Sequence, residues 1–184
     1  KLEMQQNFME EIEKRGKDRI KSKKKKIDSL SSESEGCTIA NLAIEGTVED
    51  LIKEQEKFIG SSKKLKELGN LKGKISNKAS TVKKEHKFFS KNTVCPTCTQ
   101  NIGEELRLNK LDEAQQKAKE LQSGYQELEK AIEKEEERER QFIQLTKGIT
   151  KLTNEISQNN VKISGYQKQI RELESEIQTI TNQL

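Results

Sequence analysis

The chain has 184 residues, of which 36% are charged, 30% are hydrophobic and only 4% are aromatic. A compact domain of this length needs more apolar material to offset the entropy lost on folding. The chain is therefore either disordered or an extended helical structure whose apolar residues form a narrow seam. The net charge of +4 comes from nearly balanced acidic and basic residues, which excludes a strongly basic nucleic-acid binder.

Other broad classes are disfavoured as well. No apolar run approaches the roughly 20 residues of a membrane span, and no signal-peptide pattern is present. The three cysteines do not resemble the framework of a secreted disulfide protein, so we expect a reducing, cytoplasmic setting. The chain lacks an initiator Met and stops inside a repeating pattern, so we expect an excised piece of a longer protein.

Apolar residues in the first half, residues 1–94, recur mostly at steps of three and four, which predicts a coiled-coil arm. A cluster of serines and Gly36 predicts a break in this helix near residues 31–47, with the helix resuming at Val48. The helix is expected to end near Val94, because Pro96 lacks a backbone N–H and disfavours helix at Cys95. The seam positions are Leu2, Met9, Ile12, Ile20, Ile27 and Leu30 before the break, and Leu51, Phe58, Leu65, Leu68, Ile75, Ala79, Val82 and Phe89 after it.

Residues 99–184 predict a second arm. Asn101 and Glu104 resemble a capping box at its start. Its seam comprises Leu111, Ala114, Ala118, Leu121, Tyr125, Leu128 and Ile132, then Phe142, Leu145, Ile149, Leu152, Ile156, Ile163, Tyr166, Ile170, Leu173, Ile177, Ile180 and Leu184. Between these runs, two successive steps of three from Glu139 to Leu145 form a stammer, which predicts a weak joint at residues 133–139.

The turn at residues 95–98 lies near the middle of the chain, so the two arms can fold back on each other. This places Leu68 opposite Tyr125 near the turn and Leu2 opposite Leu184 at the far end, with a surplus heptad absorbed at the predicted break. Pro96 disfavours the alternative of a parallel dimer of continuous helices. The sequence therefore predicts an all-α fold, a long antiparallel coiled-coil hairpin with Cys-x-x-Cys at its apex.

Cys95 and Cys98 have the spacing of one half of a tetrahedral thiolate site for zinc. We expect neighbouring backbone N–H groups to hydrogen-bond the thiolates and Pro96 to stiffen the turn. The remaining candidates are His86, which is expected to face the partner helix, and Cys37, which is expected far down the rod as an inert thiol. One chain thus supplies two ligands, and the simplest closure is one Zn²⁺ shared with Cys95 and Cys98 of a second chain.

A long antiparallel coiled coil interrupted by Cys95-Pro96-Thr97-Cys98 resembles the zinc-hook segment of the SbcC-like, SMC-related ATPases of recombination and repair nuclease complexes. The resemblance implies a homodimer joined through the hook and a parent ATPase that works with a nuclease subunit and DNA. The chain has no G-x-x-x-x-G-K-[ST] loop, so we expect no enzymatic activity in it. The predicted function is tethering of two rods tip to tip.

Alternative interpretations remain open. A redox role for the cysteine pair usually requires a βαβ context, and no strand pattern is present. The chain could be a plain coiled-coil spacer without metal, or a DNA-contacting arm that uses the lysines of residues 21–26, although such a run is more often a solvated face. Phe88, beside the hook, is a hypothetical contact with the tip of the second chain.

Overall fold

Three α-helices make up most of the chain in a computed structural model that describes residues 1–184. Helix α1 spans Leu2–Glu56, α2 spans Ser61–Lys91 and α3 spans Glu104–Gln183. Residues 57–60 form a turn between α1 and α2, and residues 92–103 connect α2 to α3. The predicted all-α class is confirmed. None of the helices has both the length and the apolar character needed to cross a bilayer.

The first of two compact units consists of Lys1–Glu54 and Leu145–Leu184. Within it, the Lys23 ammonium lies 2.5 Å from the Glu176 carboxylate, and the Asn41 amide donates to Asn160 Oδ1 at 3.0 Å. A residue later in α1 therefore contacts a residue earlier in α3. The two segments therefore pack antiparallel, as predicted.

The second unit, Gln55–Gln144, is a helical hairpin formed by α2, the connecting turn and the first part of α3. Lys64 pairs with Glu135 at 3.2 Å, and the Lys72 ammonium lies 5.0 Å from the ring centre of Tyr125. The antiparallel hairpin predicted for the tip is confirmed in this unit.

The apolar interior is a narrow seam. Ala114 and Ile180 are the buried apolar side chains, whereas most other seam residues are only half-buried. Two packed helices cover only one stripe of each other, so a deep core cannot form. The low apolar content of the sequence is explained by this geometry.

The predicted break near residues 31–47 is wrong, because α1 is continuous from Leu2 to Glu56. The three-and-four spacing of half-buried positions continues through Ser34, Cys37 and buried Asn41. Packing along this seam outweighs the propensity cost of the serines and Gly36, which is at most about 1 kcal/mol per residue. Asn41 is bonded to both Asn159 and Asn160 of α3, so its polar atoms are satisfied inside the seam.

The helix is instead interrupted at residues 57–60. Gly60 adopts a left-handed conformation with φ of 85°, which glycine accepts at little cost. The half-buried or buried positions Gln55, Phe58 and Ser61 follow each other at two steps of three, so the seam is overwound at this point. A stammer therefore lies in the N-terminal arm as well as in the predicted segment of α3.

The predicted pairing of the arms is also shifted. Lys72, rather than Leu68, lies over Tyr125, and Gly16, rather than Leu2, lies against Leu184. Leu2 is 85% exposed. Because α1 has no break, it contains no looped-out heptad. In the first unit the uninterrupted α1 pairs with α3, and in the second unit the uninterrupted α2 pairs with α3.

Candidate metal-binding turn

The connection between α2 and α3 is a short antiparallel turn held by backbone hydrogen bonds. The Ile102 N–H donates to the Thr93 carbonyl at 2.8 Å, and the Cys95 N–H donates to the Gln100 carbonyl at 2.9 Å. The Thr99 N–H closes the innermost loop by donating to the Cys95 carbonyl at 2.9 Å. Thr99 itself has φ of 59°, a left-handed conformation that reverses the chain. Cys95 and Cys98 are thereby held within one tight loop.

The helix ends differ slightly from the prediction. Helix α2 ends at Lys91 rather than near Val94, and Asn92 caps it through both its backbone N–H and its side-chain amide, which donate to the Phe88 carbonyl. Helix α3 begins at Glu104, so Asn101 belongs to the turn and does not cap the helix. Glu104 and Glu105 lie in the first turn, as predicted, where the helix dipole favours carboxylates.

Both cysteines of the turn are free thiols; Cys95 is half-buried and Cys98 is exposed. The pKa of the Cys95 thiol is lowered, mainly because the backbone N–H of Cys98 hydrogen-bonds its sulfur, with further donation from the Thr97 N–H and from the Cys98 thiol. These donors favour a thiolate on Cys95. Zinc binds deprotonated cysteine, so this turn fits the chemistry of a thiolate metal ligand.

The other candidate ligands do not join this pair. His86 is half-buried and lines an apolar groove between α2 and α3 with Val82 and Ala114. Cys37 is half-buried on the seam of α1. Nowhere in the chain do three or more His, Cys, Asp or Glu side chains converge as a metal site would require. A single chain thus brings together two thiols and no complete site.

The base of the turn contains a residue that the sequence analysis missed. Arg107 lies in the first part of α3, and its Nη1 donates to the Phe89 carbonyl at the end of α2 at 3.3 Å. Its Nη2 donates to Glu104 Oε1 at 2.9 Å. Charge spacing alone identifies the Glu104–Arg107 pair, but the contact with α2 depends on the register of the hairpin. Nothing in the local sequence pattern specifies that register.

Two further predicted features have defined surroundings. Phe88 and Phe89 are half-buried and pack edge to face, with ring centres 5.1 Å apart. In the lysine run at residues 21–26, Lys23 is half-buried and paired with Glu176, whereas the neighbouring lysines are exposed. Part of the basic charge of this run is thus already matched within the chain.

Comparisons with protein-family models, with curated proteins and with solved structures found no match to this chain.

Proposed function

We propose that this chain is a non-catalytic tethering segment that dimerises by sharing one zinc ion between the Cys95–Cys98 turns of two copies. The observation that carries the proposal is a tight turn, closed by backbone hydrogen bonds, that contains both Cys95 and Cys98 and lowers the pKa of the Cys95 thiol through donation from neighbouring backbone N–H groups. No third ligand from the same chain converges on them. The turn thus has the donors of half a site and lies where two helices end.

The chemistry follows from the coordination number of structural zinc. Such sites are almost always tetrahedral, with Zn–S distances of about 2.3 Å, and require four protein ligands. A bound Zn²⁺ would supply the link between two pairs of thiolates. Cys95 and Cys98 of each copy would hold it, while the Cys98 and Thr97 N–H groups would offset negative charge on the Cys95 sulfur.

The resemblance to zinc-hook segments supports the same proposal. Within that family, Val94-Cys95-Pro96-Thr97-Cys98 followed by Gln100-Asn101-Ile102 looks most like the large ATPase subunit of a T-even bacteriophage recombination endonuclease. On this proposal the parent protein is an ATPase that acts with a nuclease subunit on DNA, and this segment joins two such molecules. ATP hydrolysis and nuclease contacts would then belong to other parts of the parent protein.

Serine substitutions at the three cysteines test the proposal. Cys95→Ser and Cys98→Ser each remove two of the four thiolates from a dimer. Zinc-dependent dimerisation should therefore weaken by more than about 100-fold, which exceeds the effect of removing a group that only hydrogen-bonds a metal ligand. Cys37→Ser is the matched control, because it removes a thiol that belongs to α1 and not to the turn. Molar mass is measured by sedimentation equilibrium with and without zinc.

A second readout identifies the ligands directly. Cobalt(II) titrated into the wild-type chain should give thiolate-to-metal charge-transfer absorption that Cys95→Ser diminishes and Cys37→Ser preserves. If Cys95→Ser leaves both the absorption and the dimer mass unchanged, the cysteine pair is incidental. The chain is then a coiled-coil spacer, and the proposal fails.

A further inference from the structure

Arg107 connects the two helices at the base of the metal-binding turn. The Arg107 side chain is only 19% exposed. Its guanidinium donates to the Phe89 carbonyl of α2 and to the Glu104 carboxylate of α3. The Arg107 backbone N–H also forms the first hydrogen bond of α3, to the Gly103 carbonyl at 2.9 Å. One residue therefore contributes to the end of one helix and to the start of the next.

The electrostatics of the two helix ends favour this arrangement. The last carbonyls of a helix lack intrahelical donors and carry partial negative charge, which a cation stabilises. The Arg107 guanidinium lies at this end of α2, whereas Glu104 lies in the first turn of α3, where the exposed N–H groups carry partial positive charge. The Glu104–Arg107 ion pair thus matches both helix ends and joins them.

This contact bears on how the thiols are presented. Residues 92–103 are held internally by the hydrogen bonds around Cys95, Thr99 and Ile102, but the direction of the turn depends on how the flanking helix ends are held together. A ligand pair whose direction is already fixed loses less conformational entropy on binding. If the ends of α2 and α3 that flank the turn moved freely, each of the two copies would lose this conformational entropy on binding the metal.

We propose that Arg107 is a positioning residue: by tying the start of α3 to the end of α2, it fixes the direction in which Cys95 and Cys98 are presented to a second copy. This inference rests on the proposed zinc-mediated dimerisation. It assigns to Arg107 no contact with the metal. Its influence on affinity acts through the order of the turn.

The test compares Arg107→Gln with a matched control, Arg140→Gln. Arg140 forms the same kind of ion pair with a glutamate three residues earlier, Glu137 at 2.6 Å, but it lies away from the turn. Glutamine and arginine have similar helix propensities, so neither substitution should alter the helices themselves. Arg107→Lys restores the charge without the planar fork of donors, and it should recover part of the effect.

The first readout uses the metal-free protein. Deuterium uptake of peptides covering residues 92–103 should become severalfold faster in Arg107→Gln, while uptake in the middle of α2 and α3 stays at the wild-type rate. The second readout is the zinc-dependent dimer dissociation constant from sedimentation. It should rise roughly tenfold in Arg107→Gln, because both copies of the dimer then bear the cost of ordering the turn, and stay unchanged in Arg140→Gln.

The outcomes separate the two proposals. If the wild-type chain binds no zinc and stays monomeric, the proposed function fails, whatever Arg107 does to the turn. If the wild-type chain dimerises with zinc and Arg107→Gln matches it in both affinity and deuterium uptake, the positioning role is refuted. Equal weakening by Arg107→Gln and Arg140→Gln also refutes it, because the effect would then come from general loss of charge.

Discussion

Replacing Arg138 with glutamine tests how the interruption at residues 57–60 is accommodated in the hairpin. Arg138 of α3 donates through Nη2 to the Lys57 carbonyl at 2.9 Å, within the turn that separates α1 from α2. Its Nη1 donates to Glu135 Oε1 at 3.0 Å. Glu135 occupies a seam position with only 3% exposure, and its second oxygen has no hydrogen-bond partner. The substitution removes both bonds.

The expected cost follows from these two bonds. Hydrogen bonds that involve a charged group contribute about 1.5–3 kcal/mol each. Arg138 is 34% exposed, so water replaces part of what it loses, and Lys64 continues to pair with Glu135 at 3.2 Å. We therefore expect Arg138→Gln to lower the free energy of unfolding by about 2 kcal/mol, below the 3–5 kcal/mol typical of a fully buried pair.

Urea unfolding followed by circular dichroism at 222 nm measures this change. Arg140→Gln is again the control, since its ion pair with Glu137 is exposed and lies within one helix, and we expect it to unfold at the wild-type urea midpoint. Glu135→Leu should be neutral or stabilising, because it replaces a buried carboxylate with a seam hydrophobe. A wild-type midpoint for Arg138→Gln would refute the reasoning that these bonds hold the interrupted arm.

Three further predictions concern the backbone, the seam and the turn. Gly60→Ala should destabilise the chain by about 1 kcal/mol, because φ at this position is 85°. Gly73→Ala should stabilise it by about 1 kcal/mol, because Gly73 lies in a helix with open space around it. Thermal unfolding measures both changes, and equal effects would contradict the left-handed conformation of Gly60. Asn41→Leu should raise the unfolding temperature but loosen the pairing of α1 with α3, detected as extra species in cysteine cross-linking. Lowering the pH should release bound zinc, measured with a metallochromic dye, because protons compete for the thiolates. Since the Cys95 pKa lies below its ordinary value, release should begin at a lower pH than for an ordinary cysteine pair.

Features set by local spacing could be predicted from the sequence. The three-and-four repeat predicted helices that pack through a narrow seam, and the single proline predicted where the two arms turn back. Both signals act within a few residues of the position they determine. The placement of Cys95 and Cys98 in one turn is equally local, because only two residues separate them and the backbone hydrogen bonds close the loop around them.

Features that depend on contacts between distant segments could not be predicted in this way. Helix propensity placed the break at the serines near Gly36, but packing of Asn41 against Asn159 and Asn160 keeps that segment helical. The actual interruption carried one signal in the sequence, Gly60, whereas the double step of three around Phe58 is seen only in which side chains are buried. Predicting the Arg107 contact with α2 would have required the correct register of the hairpin. The register predicted from spacing alone differs from the observed one by several residues.

The most direct test of the central claim is zinc content measured together with molar mass by native mass spectrometry, before and after a chelator. Shared coordination by Cys95 and Cys98 predicts one zinc per two chains and conversion of the dimer to monomer when the chelator removes the metal. A chain that carries no zinc and keeps the same mass under both conditions would contradict zinc-mediated tethering.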